Sequence, residues 1–342
     1  MEAETIYKKL SGWANDIRKG ASSFLSSDQP NELQKAMAQN KWFVKENIVC
    51  ALNSLADMIS DKEHIEKWLN KYDFSIQTPR KILLILAGNI PAVGFHDVLC
   101  TLISGHKAEI KLSSDDSHII PWLLKIAEKH FPEWKDKINY HDGLINDFDA
   151  VIATGSNQTA AGFKKYFANK SHIIRHNRSS IAVIQNSDSD KDLINLSNDI
   201  FMYFGLGCRN VSLIFLPRDF NKQRIYDAFK TWEHLANHNA YANNYVYYKS
   251  YFSLTKEQPL DGSFYILREN SSTSAPVAVV HFQEYDSLEK VNAFIAENKE
   301  NIQCVVSTTK SMFNSVEPGM AQFPKIDEYA DNVDTIKFLT SL

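Results

Sequence analysis

A cysteine placed among glycines is the residue of this sequence best suited to covalent chemistry. Cys208 follows Gly205 and Gly207 and stands just before an apolar run over residues 211–216. Glycine lets the backbone approach a ligand closely and leaves the neighbouring sulfur uncovered. A thiolate there can attack a carbonyl and hold the acyl group as a thioester. The competing interpretation is a small buried residue, which is the usual environment of a free cysteine.

The overall composition is typical of a soluble globular chain of about two domains. The sequence has 342 residues, of which 44% are hydrophobic and 23% charged, and its net charge is −4. Because no long basic run is present, the sequence predicts no nucleic-acid partner. The acidic N-terminus lacks the apolar stretch of a signal peptide, and no apolar run is long enough to cross a bilayer. These features predict a cytoplasmic protein without a membrane span.

The remaining cysteines and the histidines show no metal-binding pattern. Cys50, Cys100, Cys208 and Cys304 lie far apart and form no C-x-x-C pair, which favours reduced thiols over disulfides or a zinc site. His172 and His176 are four residues apart, but no carboxylate lies between them. The sequence therefore predicts no metal.

Apolar runs of strand length alternate with helical patterns along most of the chain. This alternation predicts βαβ units and an α/β fold with parallel sheets. Residues 1–75 are predicted to be helical, and strands are predicted over residues 81–87, 108–112, 149–153, 180–184, 211–216, 276–282 and 303–307, with helices over 93–104, 117–130, 157–167, 193–204, 223–235 and 287–298.

Polar motifs follow the first three of these strands. Asn89 stands in a Gly-Asn-Ile-Pro turn after the first strand, and Lys111 closes the second. Thr154, Gly155 and Ser156 close the third strand and open a helix. Ligands of open parallel sheets bind at the carboxyl ends of the strands, so we expect these residues to face one crevice.

The order of these motifs, with the later Gly-Leu-Gly-Cys loop, resembles the aldehyde dehydrogenase superfamily from about Ile82 to Thr309. The Ala-Gly-Asn-Ile-Pro turn, the Gly-Leu-Gly-Cys loop and the tail over residues 319–335 are most similar to its acyl-CoA and acyl-protein thioester reductases. These include the fatty-acid reductase component of bacterial bioluminescence. The resemblance implies an aldehyde-dehydrogenase-like α/β fold with two Rossmann-like parallel-sheet domains and a helical N-terminal segment.

The polar, turn-rich residues 185–190 predict the main domain boundary, and the resemblance implies the roles of the domains on either side. We expect a helical N-terminal segment over 1–75, a nicotinamide-cofactor-binding domain over 76–185 together with that segment, a catalytic domain with the nucleophilic cysteine over 186–315, and a C-terminal segment over 316–342.

The resemblance assigns roles to individual residues. It implies that Cys208 is the nucleophile and that the Asn89 amide and the Cys208 N–H stabilise the oxyanion; otherwise Asn89 is a turn residue that caps the next helix. Lys111 corresponds to a lysine that binds the adenosine ribose, or it is a surface lysine that ends a strand. Thr154, Gly155 and Ser156 form a helix start that attracts phosphate, or a plain N-cap.

Two departures from the superfamily pattern concern the fate of the acyl-enzyme. Residues 175–180 contain no carboxylate where aldehyde-oxidising members carry a glutamate, and residues 272–277 lack a second glutamate. Without a base, water attacks the thioester slowly, which favours reduction of a thioester over oxidation of an aldehyde. The same loss fits a chain that kept the fold and lost the activity.

A third departure concerns the cofactor. Members that prefer NAD often carry a glutamate three residues after the lysine, whereas this chain has Ser114, which does not repel a 2′-phosphate. His106 and Lys107 are close in sequence and add positive charge. We therefore expect NADPH as the cofactor, with NAD as the alternative.

The resulting hypothesis is an NADPH-dependent reductase that converts a fatty acyl thioester to an aldehyde. Its acyl donor would be acyl-CoA or an acylated protein, and the resemblance allows a homo-oligomer. The alternatives are a CoA-acylating aldehyde dehydrogenase that uses NAD, and an inactive binding protein with the same fold.

Overall fold

The computed structural model describes residues 3–74, 78–143 and 145–342, and the chain divides into two units. The first unit is formed by Met1–Asn177 and Pro324–Leu342, and the second by Arg178–Phe323. The domain limits expected at residues 185 and 315 remain predictions. Residues 75–77, where the predicted helical segment ends, lie outside the described residues.

Helices and strands alternate through both units. The helices are α1 Ala3–Ser27, α2 Asn31–Gln39, α3 Lys45–Met58, α4 Lys62–Leu69, α5 Phe95–Ile103, α6 Ile119–Ala127, α7 Asn157–Tyr166, α8 Asp190–Phe201, α9 Gln223–Phe229, α10 Asn239–Leu254, α11 Leu288–Glu297, α12 Lys310–Phe313 and α13 Thr335–Thr340. The strands are β1 Lys81–Ile85, β2 Lys107–Lys111, β3 Ile138–Tyr140, β4 Ala150–Thr154, β5 Ser171–Arg175, β6 Ser179–Val183, β7 Val211–Pro217, β8 Leu260–Asp261, β9 Ile266–Glu269, β10 Val279–Tyr285 and β11 Ile302–Val306.

The first unit is built on a five-stranded sheet in the order β3-β2-β1-β4-β5, whose described pairings are all parallel. Its central strand β1 buries Ile82, Leu83 and Leu84, because helices and loops cover both faces of a parallel sheet. The strands predicted from the apolar runs over 81–87, 108–112 and 149–153 are confirmed. The two edge strands, β3 and β5, were not predicted.

The N-terminal helices bury one stripe of α1 in the core of the first unit. Leu10, Trp13, Ile17 and Phe24 are fully buried, at a spacing that puts them on one helical face. The Trp13 indole lies 5.2 Å from the ring of Phe95 in α5, and its Nε1 donates to the carbonyl of Leu123 in α6. The predicted helical nature of the N-terminal segment is confirmed over its described residues.

The C-terminal segment Pro324–Leu342 returns to the first unit and completes it. The Trp68 Nε1 donates to the Tyr329 hydroxyl at 2.6 Å, and a ring nitrogen of His106 lies 2.9 Å from the Leu339 carbonyl oxygen. The Arg175 guanidinium donates to Thr335 Oγ1 at 3.0 Å. Polar groups buried in the first unit therefore have their partners in the last residues of the chain.

The second unit is built on a six-stranded sheet in the order β11-β6-β7-β10-β9-β8. Its described pairings are parallel except for β8, which runs antiparallel to β9. The predicted strand over 276–282 begins later, at Val279, because Ala278 has a left-handed φ of 66° and the Val279 N–H bonds to the Pro276 carbonyl in a turn. Helix α10 was not predicted.

In residues 3–74, 78–143 and 145–342, no helix combines the length and apolar content that a membrane crossing requires.

Candidate functional site

In the first unit, the predicted site residues lie at the carboxyl ends of neighbouring strands. Lys111 is the last residue of β2, and Thr154 is the last residue of β4. Strand β1 pairs with both and leads into the turn that carries Asn89. The Asn89 turn, Lys111 and the Thr-Gly-Ser helix start therefore all lie at the carboxyl ends of the strands of the first sheet.

The turn that presents Asn89 is held by a buried carboxylate. Asp116 Oδ2 accepts from the Ala92 N–H at 2.8 Å, and its Oδ1 accepts from the Ile119 N–H at 3.3 Å. Ala92 has a left-handed φ of 56°, which an alanine holds only where its surroundings impose it. Burial raises the pKa of Asp116 to about 6. The turn is therefore fixed while the Asn89 residue itself stays exposed.

The backbone before Asn89 approaches the β2–α6 loop closely. A Cβ at Gly88 would lie 2.7 Å from Ser113 Oγ and 2.9 Å from the Asp116 nitrogen, so only glycine fits. Asn40 Nδ2 donates to the Gly88 carbonyl at 3.2 Å. The N-cap of α5 is Gly94, so Asn89 does not cap that helix. This excludes the capping alternative for Asn89.

Lys111 lines a mainly apolar cavity of about 520 Å³ on one face of the first sheet. Its Nζ donates to the Gly143 carbonyl at 3.4 Å. A cavity of this volume is within the range of small-ligand sites, and apolar walls with one polar group suit an aromatic ring that carries a polar substituent. The other walls come from β1, the segment after β3, and α7, through Leu83, Ile85, Ile145, Thr159, Gly162, Phe163, Tyr166 and Phe167.

The Thr-Gly-Ser segment starts α7 as predicted. Ser156 is the N-cap, and its Oγ accepts from the Thr159 N–H at 3.2 Å. A Cβ at Gly155 would lie 2.9 Å from Thr159 Cγ2, so the close packing of the turn on the helix requires glycine. The capping interpretation of Ser156 is therefore correct, and it leaves the role of this helix start towards phosphate as a prediction.

Ser114 lies in the turn after β2, with its residue exposed and its carbonyl accepting from the Gln39 side-chain amide. The expected contribution of His106 and Lys107 to the same place is wrong. They stand at the amino end of β2, and Lys111 stands at its carboxyl end. His106 is buried, which lowers its pKa, and it borders a separate cavity of about 800 Å³ with Arg80 and Lys337.

In the second unit, Cys208 lies in an irregular loop ahead of β7, at the amino end of that strand. The loop is entered through three consecutive left-handed residues, Tyr203, Phe204 and Gly205, with φ of 53°, 58° and 75°. Such a conformation is unfavourable for tyrosine and phenylalanine, so tertiary contacts must impose it. Cys208 is partly exposed, whereas Cys100 is buried. The structure therefore does not support the interpretation of Cys208 as a buried packing residue.

A buried asparagine two residues after Cys208 fixes this loop. Asn210 Oδ1 accepts from the Gly207 N–H at 2.8 Å. Its Nδ2 donates to the carbonyls of Asp199, Ile200 and Met202 at 3.1, 3.2 and 2.8 Å. One side chain therefore satisfies the carbonyls at the end of α8 and the amide just before the cysteine.

A buried aspartate at the end of α8 connects this loop to a later segment. Asp199 is fully buried and accepts from the N–H groups of Gly319 and Ala321 at 2.6 and 2.9 Å. Its burial raises the pKa of the carboxyl to about 7. The Arg209 guanidinium donates to the Ala321 carbonyl at 3.4 Å. The segment around Ala321 is thus held against the cysteine loop from two sides.

A second cysteine lies close to the same loop. Ser180 Oγ lies 3.1 Å from the Cys208 carbonyl oxygen and 3.1 Å from the Cys304 sulfur. Burial raises the pKa of Cys304 to about 11, which keeps its thiol protonated at neutral pH. Both cysteines are partly exposed, so it is the raised pKa of the Cys304 thiol that makes Cys304 unsuited to act as a nucleophile and favours Cys208.

The stretch that departs from the superfamily pattern begins with a structural arginine. Arg175 is buried at the end of β5, and its Nη2 lies 2.7 Å from Oδ1 of Asp97 in α5. It also donates to the carbonyl of Ala330. Its charge is therefore satisfied inside the first unit, and residues 176–180 supply no carboxylate. In the described parts of the chain, no group of three or more His, Cys, Asp or Glu side chains is placed to bind a metal ion.

The residues that the sequence analysis missed are mostly buried polar groups, namely Asn40, Asp116, Asp199 and Asn210. Asp116 had a local signal, because it stands directly before the helix predicted over 117–130, where a helix-capping residue is expected. Asp199 had no such signal, because its partners are more than a hundred residues away.

Comparison with known proteins gives one family and one fold. The sequence profile described as acyl-CoA reductase (LuxC) matches residues 5–230. A search of curated protein sequences gives no match.

The chain is similar over most of its length to solved structures of dehydrogenases, including the following three. Aldehyde dehydrogenase 21 from Physcomitrella patens, in complex with the reaction product succinate, gives a TM-score of 0.68 at 12% identity over 100% of this chain and 84% of that one. Glyceraldehyde-3-phosphate dehydrogenase GapN from Methanocaldococcus jannaschii, complexed with NADP, gives 0.66 at 12% identity over 99% and 88%. The NAD⁺ complex of an aldehyde dehydrogenase from Bacillus cereus gives 0.63 at 15% identity over 92% and 75%. The expected aldehyde-dehydrogenase-like α/β fold is confirmed.

Proposed function

Because the chain belongs to the acyl-CoA reductase (LuxC) family, we propose that it reduces a fatty acyl thioester to an aldehyde with NADPH through an acyl-enzyme on Cys208. The observation that carries this proposal is the partly exposed cysteine in a loop braced by Asn210. The family match covers the whole of this loop. The acyl donor is acyl-CoA or an acylated protein. A cytoplasmic location and a homo-oligomeric state belong to the same proposal.

The proposed chemistry begins at the sulfur of Cys208. Its thiolate attacks the carbonyl carbon of the donor thioester, a new C–S bond forms, and the donor thiolate leaves. A bound dihydronicotinamide supplies the hydride that the acyl group needs to reach the aldehyde level. Release of the aldehyde breaks the C–S bond and returns the Cys208 thiolate. The cysteine is therefore acylated and regenerated once in each turnover.

The oxyanion formed in each step needs preorganised hydrogen-bond donors. We assign this role to the Asn89 side-chain amide and the Cys208 N–H. Two features support the assignment of Asn89: its residue is exposed, and Asp116 and Asn40 hold the turn on which it stands. A donor that is already in place loses little freedom when charge develops on the substrate.

The first unit has residues that fit a nicotinamide dinucleotide. The apolar cavity of about 520 Å³ suits an adenine ring, and Lys111 at its wall suits the ribose hydroxyls. Thr154, Gly155 and Ser156 start α7, where backbone N–H groups and the helix dipole favour a pyrophosphate. The neutral Ser114 adds no negative charge beside the ribose, which supports NADPH over NAD.

The lack of a base supports reduction over hydrolysis. Arg175 is committed to Asp97, and the following residues offer no carboxylate that would activate water. An acyl-enzyme that water attacks slowly persists long enough to accept a hydride.

The test of the proposed nucleophile is acylation of the chain by radioactive acyl-CoA. We expect the Cys208→Ala variant to keep its circular dichroism spectrum and to lose the label and all aldehyde production. Cys50→Ala is the matched control, because Cys50 is also partly exposed, and it should be labelled like the unaltered protein. Full labelling of the Cys208→Ala variant would eliminate the proposed nucleophile.

The oxyanion assignment predicts a large effect of Asn89→Ala on turnover. Loss of one such donor lowers kcat by about 10²–10³-fold in other enzymes. The matched control is Asn53→Ala on the exposed face of α3. Steady-state aldehyde formation measures both variants, and an unchanged kcat for Asn89→Ala would remove Asn89 from the mechanism.

A CoA-acylating aldehyde dehydrogenase that uses NAD shares every residue assigned above. Initial rates in both directions, with both cofactors, separate it from the reductase. A protein that binds neither cofactor and does not take up the acyl label would instead be the inactive binding protein.

A further inference from the structure

We propose that His141, oriented by the buried Glu109, binds the 2′-phosphate of NADPH and so sets the preference for NADPH over NADH. The inference rests on the proposed cofactor site beside Lys111. The observations that carry it are the strand register, a hydrogen-bonded cluster on β2 and β3, and the exposed edge of the imidazole.

The register places His141 beside Lys111. Strands β2 and β3 are parallel neighbours, with Glu109 opposite Asn139 and Ile110 opposite Tyr140. The His141 N–H donates to the Ile110 carbonyl at 2.9 Å, which extends this ladder by one residue. Paired positions of neighbouring strands share a face of the sheet. His141 therefore lies directly after β3, next to Lys111, on the face that carries the cavity.

A buried carboxylate fixes the imidazole at this position. Glu109 is 5% exposed, and its Oε2 lies 2.6 Å from Nε2 of His141. Its Oε1 accepts from Asn139 Nδ2 at 3.1 Å. Both oxygens of the carboxylate are thus engaged by β3. Because His141 and Asn139 occupy both of its oxygens, the Glu109 carboxylate orients His141 and does not bind the ribose hydroxyls of NADH.

The geometry gives the histidine a phosphate-binding edge. The Glu109 bond uses Nε2, so Nδ1 stands on the other side of the ring, and the side chain is 34% exposed. In the doubly protonated ring each nitrogen is a donor, so Nε2 can donate to Glu109 and Nδ1 to a phosphate. A 2′-phosphate on the ribose beside Lys111 would meet this donor. NADH has a hydroxyl there and gains nothing from the charge.

The test compares the binding of NADP⁺ and NAD⁺ to the full chain by calorimetry. We expect His141→Gln, which keeps a donor towards Glu109 and removes the charge, to weaken NADP⁺ binding about ten- to a hundred-fold, the range of one charge-assisted hydrogen bond. NAD⁺ binding should change by less than about twofold. His141→Lys should retain most of the NADP⁺ affinity. The matched control is His172→Gln, at an exposed position of β5.

Each outcome either supports or overturns the assignment. Unaltered NADP⁺ binding in His141→Gln overturns the role of His141 while the proposed reductase function stands. Equal losses for both dinucleotides, with a lowered melting temperature, show a structural role and also overturn it. A preference of the unaltered protein for NAD⁺ removes the basis of the inference. If the unaltered protein binds neither dinucleotide but still accepts the acyl label, the cofactor site itself is misplaced and the inference falls with it.

Discussion

The two units position their functional residues in different ways. In the first unit, Lys111 ends a strand and Ser156 begins a helix, so regular elements place both. In the second unit, Cys208 stands in a loop of left-handed residues that buried polar side chains hold in place. Site residues at the ends of helices and strands can therefore be predicted from the apolar periodicity of those elements. A site in an irregular loop depends on contacts that periodicity does not report.

Asn89 of the first unit is positioned in the same way as Cys208 of the second, by an irregular turn that a buried polar side chain holds. Asn89 lies in a turn with the left-handed Ala92, and the buried Asp116 fixes that turn. The contrast therefore lies between kinds of local structure and not strictly between units. Three tests examine it, and they are taken from the largest expected effect to the smallest.

The largest effect is expected when the Asn210 side chain, which holds the Cys208 loop in place, is removed. Asn210→Ala removes the acceptor of the Gly207 N–H and the amide nitrogen that three carbonyls share, and each buried group left unsatisfied costs about 1–3 kcal/mol. With some groups reached by water, we expect the free energy of unfolding to fall by about 5 kcal/mol and acylation of Cys208 to slow. Urea unfolding and acyl labelling measure the two effects.

The control for this variant is Asn244→Ala, whose side-chain amide donates to the Ala240 carbonyl within α10. It should lower the free energy of unfolding by less than about 1 kcal/mol. If both variants lose the same small amount, the loop does not depend on Asn210 and the contrast between the two regions fails.

The second test uses the buried aspartate that holds Gly319 and Ala321. The pKa of Asp199 rises from its ordinary value of 3.8 to about 7 in the folded chain. The folded chain therefore keeps this proton where the unfolded chain loses it. The Asp199 contribution to the free energy of unfolding is complete below 3.8 and falls by about 4 kcal/mol as pH rises to about 7.

Asp199→Asn removes this ionisation, although it also loses one acceptor. We expect the stability of the variant to be lower at acid pH and to lack the Asp199 part of the decline, as measured by urea unfolding over a pH series. Asp116→Asn is the counterpart in the first unit. The pKa of Asp116 rises only to about 6, so the loss of stability with rising pH that depends on Asp116 should be smaller. Curves of the variant and the unaltered protein that run parallel would contradict the buried ionisation.

The smallest effect is expected from Gly155→Ala at the start of α7. The new Cβ would lie 2.9 Å from Thr159 Cγ2 and 3.0 Å from Thr159 Cβ. Overpacking of this kind costs about 1–3 kcal/mol, and we expect the low end because the helix start can shift. Calorimetry should show weaker binding of NADP⁺. The double variant Gly155→Ala with Thr159→Ser removes the nearer carbon and should recover part of both losses; no recovery would show that the helix packing is not the cause.

The strands found from the sequence share one property, which is a core of consecutive apolar residues. Edge strands β3 and β5 lack it, because Asn139 and Tyr140 are exposed and His172 is exposed at its edge of the sheet. Helix α10 was missed since its apolar residues lie all around it, and only Tyr241 and Phe252 are buried. A helix that buries so few residues has no amphipathic period to detect.

The residues of the candidate site also differ in whether they directly follow an apolar strand. Lys111 and the Thr-Gly-Ser start could be predicted because each directly follows an apolar strand. The supports of Cys208 and Asn89 could not, because Asp199, Asn210 and Asp116 act through backbone groups that any residue type provides. His141 was missed with the edge strand β3 that carries it, and its relation to Glu109 emerges only from the register of β2 and β3.

The return of Pro324–Leu342 to the first unit has a consequence for biosynthesis. The second unit is one uninterrupted stretch, Arg178–Phe323, so all of it leaves the ribosome before the segment that the first unit still needs. Until then, the Trp68 indole and the Arg175 guanidinium lack the partners that Tyr329 and Thr335 provide. The half of the protein that is synthesised first is therefore the half that finishes folding last.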